Sequence, residues 1–151
     1  MSIRSARESD LHRILEVERL SFPSQQQWDS SAFQEALKDL FLVFDDGEIS
    51  GFLIACCRET IRKAVILRVA VHPGVRNRGI ATRLMETAIE KLKERDIREV
   101  EIDVEMVRSG AVHLYERIGF RTVRGIPMRE NHAMDDENGS FYVMKLVLRN
   151  G

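Results

Sequence analysis

The sequence predicts a mixed α/β domain, a central sheet covered by helices in the order β-α-α-β-β-β-α-β-α-β-β. Three observations carry this. "AVILRVAV" (64–71) is near-continuously apolar, as in a strand covered on both faces. The segment after it places Ile80, Leu84, Ala88 and Leu92 at four-residue spacing, with Glu86, Glu90, Lys91 and Lys93 elsewhere on the wheel. "REVEIDVEM" (98–106) then alternates strictly, with Val100, Ile102, Val104 and Met106 facing one way and Glu99, Glu101, Asp103 and Glu105 the other.

The remaining elements follow in order. "SIRSA" (2–6) is a short first strand. "SDLHRILEVERLSF" (9–22) is a helix with Ser9 or Asp10 as N-cap and Leu11, Ile14 and Leu15 on one face. "FPSQQQW" (22–28) is a polar loop between apolar ends. "SSAFQEALKDL" (30–40) is a second helix, with Ser31 and Gln34 at capping-box spacing and a stripe of Phe33, Ala36, Leu37 and Leu40. "FLVFDDGEISGFLIACCRE" (41–59) reads as a hairpin turning at Asp46-Gly47. "SGAVHLYERIGF" (109–120) is a short helix ended by Gly119. "FRTVRGI" and "SFYVMKLVL" are two last strands joined by a polar loop.

The 151 residues are expected to form a single domain, residues 1–151, since no linker, repeat or low-complexity tract interrupts them. Apolar residues make up 44% and charged residues 31%, a globular balance. A formal net charge of -1 disfavours a nucleic-acid surface. Cys56 and Cys57 are neighbours in one strand and point to opposite faces, so they read as reduced packing residues in a reducing compartment. Neither a signal core nor a membrane span is legible, so a soluble, cytoplasmic protein is expected. The four histidines and two cysteines lack metal-ligand spacing, so no metal is expected.

"VAVHPGVRNRGIATRL" (69–84) sets two arginines and a glycine where a helix begins. A helix start already carries free N–H groups and a positive dipole end, so the extra cations make sense if an anion arrives from outside. N–H groups of Arg78, Gly79, Ile80 and Ala81 can converge on that anion, and Arg76 and Arg78 add charge-assisted bonds to phosphate oxygens. The motif is neither the Gly-Lys-Ser/Thr loop nor the three-glycine dinucleotide turn.

"V-x-P-x-x-R-x-x-G-I-A" (71–81) resembles the acyl-CoA pyrophosphate loop of the GNAT N-acetyltransferases, and "A-V-H-L-Y-E-R-I-G-F" (111–120) resembles that family's second signature. The resemblance extends over nearly the whole chain and is closest to RimI-like and archaeal protein N-α-acetyltransferases, which also carry an apolar-Pro loop, here Phe22-Pro23. It implies acetyl-CoA as cosubstrate, lying between splayed fourth and fifth strands. Backbone groups of Val69, Ala70 and Val71 would pair with pantetheine, with the Val69 N–H as oxyanion donor. Asn77, Arg78, Gly79, Ile80, Ala81 and Thr82 would cradle the pyrophosphate, and Arg76 or Arg117 would reach the 3′-phosphate. Tyr115 would protonate the leaving thiolate, and Asp103 would be the base, with Glu105 or a water as alternatives. Arg108 stands where the family often has an asparagine that touches the cofactor. Phe22, Pro23, Gln26 and Trp28 would line the substrate groove. His113 and His132 are weaker candidates for a base.

The implied acceptor is the α-amino group of a protein N-terminus, on ribosomal or nascent chains, acetylated by direct attack within a ternary complex of a monomer or dimer. An α-amine with pKa near 7.7–8.0 is roughly one-fifth neutral at pH 7.2, so a modest base suffices, whereas a lysine near 10.4 is neutral only about one part in a thousand. One departure favours a small amine instead: Pro127 and Met128 stand where the N-terminal enzymes usually carry a tyrosine pair. A non-catalytic acyl-CoA sensor is the third reading.

Overall fold

The computed structural model describes residues 2–105, 109–127 and 140–148. The elements are β1 (Ser2–Ser5), α1 (Leu11–Ser21), α2 (Ser30–Ala36), β2 (Leu40–Asp45), β3 (Ile49–Arg58), β4 (Lys63–Val71), α3 (Ile80–Glu94), β5 (Glu99–Glu105), α4 (Ser109–Ile118), β6 (Arg121–Pro127) and β7 (Ser140–Val147). The expected order is the observed one. Seven strands form one mixed sheet in the order β1-β2-β3-β4-β5-β7-β6, in which β4 and β5 are parallel and every other neighbour pair is antiparallel.

Two cores sit on opposite faces of this sheet. On one face α3 and α4 cover Leu42, Leu53, Ala64, Ile66, Val100 and Ile102. On the other, α1 and α2 cover Phe41, Val43, Phe52, Ile54 and Ala70. The stripe of α3 is wider than its four-residue repeat, since Met85 and Ile89 are buried beside Ile80, Leu84, Ala88 and Leu92. Such a stripe suits a helix lying along a sheet.

Several local expectations are corrected. Asp10 does not cap α1 with its side chain; a 3₁₀ turn, Glu8–Asp10, precedes the helix, and the Asp10 carboxylate accepts the Arg7 N–H instead. The cap of α2 is Asp29, whose Oδ1 accepts the Ala32 N–H at 2.9 Å, rather than Ser31. That helix ends at Ala36, so Leu40 is buried as the first residue of β2. The hairpin loop spans Asp46 to Glu48, because Asp45 pairs with Ile49. Gly119 does end α4, at φ +122, and its N–H and that of Phe120 both return to the Tyr115 carbonyl.

The largest correction concerns β4, which is not covered on both faces throughout. Ile54 pairs with Arg68 but Ala55 pairs with Ile66, so Leu67 is an extra residue, a bulge, and is 41% exposed. A one-residue insertion inverts the side-chain phase of everything after it. Ala64 and Ile66 face α3, whereas Arg68 and Ala70 face α1. The parallel ladder with β5 also ends here, since Ile66–Ile102 is its last pair.

Candidate active site

Beyond Ile66 and Ile102 the two parallel strands no longer pair, so β4 presents an open edge from Leu67 to Val71. An extended ligand can take the place of the missing neighbour strand. Val69 and Val71 lie on this edge with side chains on the α3 core, and Ala70 between them is buried under α1.

The open edge leads directly to the start of α3. A 3₁₀ turn, Pro73–Val75, redirects the chain, and His72 braces it by accepting the Gly74 N–H on Nδ1 at 2.9 Å. Asn77 and Gly79 then take positive φ, 64 and 81. Gly79 is the N-cap of α3, and no side chain caps it. A Cβ added at Gly79 would meet nothing within 4 Å, so the backbone is open on that side. Ile80 and Ala81 thus begin a 15-residue helix, behind Arg78 and the Gly79 N-cap, with the N–H donors and dipole suited to a phosphate.

Arg76 is held away from such an anion. Its Nε donates to the Val71 carbonyl at 2.9 Å, and its Nη2 donates to Ser21 Oγ at 3.3 Å. The Val71 carbonyl, expected to serve pantetheine, is therefore already engaged. Arg117 instead lines an open groove of about 820 Å³ between α3, α4 and β7, together with Thr82, Leu114 and Leu146.

Asp103 is exposed and is the first residue of β5 past the last rung of the ladder. It follows Glu101, which pairs with Lys63 at 3.4 Å, on the sheet face opposite Ile102. Tyr115 belongs to the other face. It is only 7% exposed, lies in the α3/α4 core and packs against Phe120, with ring centroids 5.9 Å apart and the rings tilted by 57°. Base and acid candidates therefore belong to opposite faces of the sheet, Asp103 just past the last rung and Tyr115 within the α3/α4 core. His113 is exposed, 3.8 Å from Glu116 on its own helix. Arg108, His132, Met128 and the side chain of Glu105 lie outside the described residues.

Sequence reasoning missed two residues, Glu18 and Arg68. Glu18 is fully buried and is bound by Arg68 through Nε at 3.0 Å and through Nη2. The Trp28 N–H donates to Glu18 Oε2 at 2.8 Å, and Arg68 Nη2 donates to the Gln26 carbonyl. The guanidinium lies 4.1 Å from the Phe22 ring centroid and 5.1 Å from that of Trp28. The signal was an arginine inside the apolar run 64–71 and a glutamate on the buried face of α1. Phe22, Gln26 and Trp28 are thus gathered around one guanidinium, with Pro23 in the same loop.

Residues 5–120 match the Acetyltransferase (GNAT) family. The N-alpha-acetyltransferase of Sulfurisphaera tokodaii is 28% identical, over 81% of this chain and 81% of its own length. The putative [ribosomal protein bS18]-alanine N-acetyltransferase of Bacillus subtilis is 28% identical, over 89% of this chain and 88% of its own. Among solved structures, the ribosomal-protein-S18-alanine N-acetyltransferase from Escherichia coli superposes with a TM-score of 0.86 at 20% identity, covering 99% of this chain and 95% of that one. Arabidopsis thaliana Naa50 in complex with the bisubstrate analogue CoA-Ac-MVNAL gives 0.82 at 15% identity, covering 97% and 98%. These structures establish a shared fold, and the parted strands and uncapped α3 start suit an extended ligand that carries a pyrophosphate. The chain belongs to the GNAT family of acetyltransferases.

Proposed function

We propose that this acetyltransferase works in the cytoplasm on the α-amino groups of protein N-termini. The observation that carries the reading is the gap that opens past Ile66 and Ile102, with Asp103 exposed just beyond its last rung; Tyr115, in the core on the α3 face, is the acid in this reading. Relatives named for N-alpha-acetylation and matching four-fifths of the chain support that acceptor class.

The chain's own groups then divide the work. The N–H groups at Arg78 to Ala81 hold the pyrophosphate, and Arg117 is the better placed of the two arginines for the 3′-phosphate. The open β4 edge aligns pantetheine, and the Val69 N–H polarises the thioester carbonyl; one such donor is worth roughly 3–4 kcal/mol in the transition state. Asp103, exposed at the mouth of the gap, takes the ammonium proton directly or through a water. Tyr115 gives a proton to the departing thiolate from the other face. Phe22, Pro23, Gln26 and Trp28 form the wall along which the peptide lies.

A small-amine acceptor is the second reading. Pro127 and Met128 at the expected tyrosine positions favour it, as does 32% identity over half of the chain to a streptothricin acetyltransferase. Thiol release from acetyl-CoA separates the two. Short peptides with free N-termini should turn over, and blocking the N-terminus should abolish turnover. Reaction with small amines alone would assign the chain to the second class.

A further inference from the structure

We propose that Arg68, held by Glu18, is the positioning residue that fixes the acceptor loop Phe22–Trp28 against the open edge of β4. The inference rests on the acetyl-transfer reading of that edge but not on which amine is accepted.

The loop has little structure of its own. Between α1 and α2 it contains a single 3₁₀ turn, Ser24–Gln26, and one internal side-chain bond, from Gln27 Nε2 to the Phe22 carbonyl at 2.8 Å. Beside the contact of Trp28 with Phe33, ring centroids 5.3 Å apart, and the bond from the Phe22 N–H to the Glu18 carbonyl, the loop is gathered by Arg68, which binds the Gln26 carbonyl, packs on the Phe22 and Trp28 rings and orients the carboxylate that holds the Trp28 N–H. A guanidinium offers a planar fork and a stacking face together, a combination an ammonium lacks. Arg68 is also the first residue after the Leu67 bulge. The irregularity that turns Arg68 toward α1 lies where β4 leaves β5, so the loop is registered to the strand edge on which the thioester must lie. Glu18 neutralises the cation, so Arg68 is not a free charge awaiting an acidic substrate.

Trp28 is the only tryptophan of the chain, so its fluorescence reports this loop alone. Removing one charge would strand the other in a buried site, so the informative variant replaces both, Glu18→Gln with Arg68→Met; Arg68→Lys is the conservative control. The double variant is expected to fold, with red-shifted Trp28 emission and increased acrylamide quenching. Its KM for the accepted amine should rise about tenfold or more, since displacement by an ångström is enough for such losses, while its Kd for acetyl-CoA stays within about twofold. Arg68→Lys should fall between it and the wild type. Unchanged Trp28 emission, an unchanged amine KM, or an equal loss of acetyl-CoA affinity would each overturn the proposal. A wild-type enzyme that takes only small amines would refute the N-terminal acceptor, while the Trp28 signal and the small-amine KM would still decide the role of Arg68.

Discussion

Leu67 and Asp103 are the first residues past the last rung of the β4–β5 ladder, one on each side of the gap. Leu67 is a bulge with an exposed apolar side chain, and Asp103 is an exposed carboxylate. On the mechanism proposed above, an acceptor amine entering here would meet an apolar side chain and a proton acceptor together. If Asp103 takes the proton, its value depends on how much amine is already neutral. Asp103→Asn should therefore slow turnover most at low pH, by about 10²-fold near pH 6.5, and much less near pH 9, above the α-amine pKa of about 7.7–8.0. Initial rates with one peptide between these limits check this; a pH-independent loss would point to a binding role.

Tyr115 separates packing from chemistry. Its ring sits in the core against Phe120, and phenylalanine would keep that contact. Tyr115→Phe should lower kcat by about 10²-fold, as for other acid catalysts, with the Kd for acetyl-CoA little changed. Stopped assays of thiol release, with calorimetric titration of acetyl-CoA, make the comparison.

Two glycines near the α3 start fail for different reasons when substituted. A Cβ at Gly51 would approach Ile80 Cγ2 at 3.1 Å, the Ala70 carbonyl at 3.2 Å and Leu84 Cδ1 at 3.3 Å. Gly51→Ala should push α3 off the sheet and cost about 1–3 kcal/mol. Gly79 has space but a φ of 81, so Gly79→Ala should cost about 1–2 kcal/mol of backbone strain. Both should weaken acetyl-CoA binding, and urea titrations beside binding isotherms measure the two effects.

Arg4 binds both oxygens of Asp10, at 2.9 and 3.0 Å, and reaches Asp45 as well. The Arg4 hydrogen bonds hold the Asp10 carboxyl below its ordinary range against the opposing effect of burial, and the Arg7 N–H assists. Because the folded value is depressed, the stabilisation is complete above the unfolded value of about 3.9 and is lost as pH falls through the folded one. Asp10→Asn should be less stable than wild type by about 1–3 kcal/mol at pH 7, and the gap should close in acid. Urea midpoints at pH 7 and below pH 3 test this.

The elements that were legible in the sequence are those in which one periodicity runs unbroken. α3 kept its stripe, β5 its alternation at Val100 and Ile102, and α4 its terminal glycine. The start of α3 was legible because its arginines and glycine oppose what an isolated helix would choose. β4 was misread because a bulge leaves no mark on composition. "AVILRVAV" looks apolar on both faces only because its phase flips at Leu67, and the flip is what buries Arg68 beside Glu18. The α2 cap was misplaced by two residues because Asp29 and Ser31 are both good caps, and the competition is settled by where the loop delivers the chain. The partnership of Glu18 with Arg68 spans 50 positions, and no local pattern encodes it.

The four-rung ladder from Lys63–Glu99 to Ile66–Ile102 has a mechanical meaning. It is the seam joining two antiparallel half-sheets, β1 to β4 and β5-β7-β6. Apart from the edge strand β1, which also makes four pairs, each half is laced by longer ladders, so the seam is the shortest ladder in the interior of the sheet. On the proposed reading, an extended cosubstrate seated beside β4 would continue the seam past Ile66 and stitch the halves together. Binding then stiffens the whole molecule by mass action, and deuterium uptake along β4 should register occupancy before any acetyl group has moved.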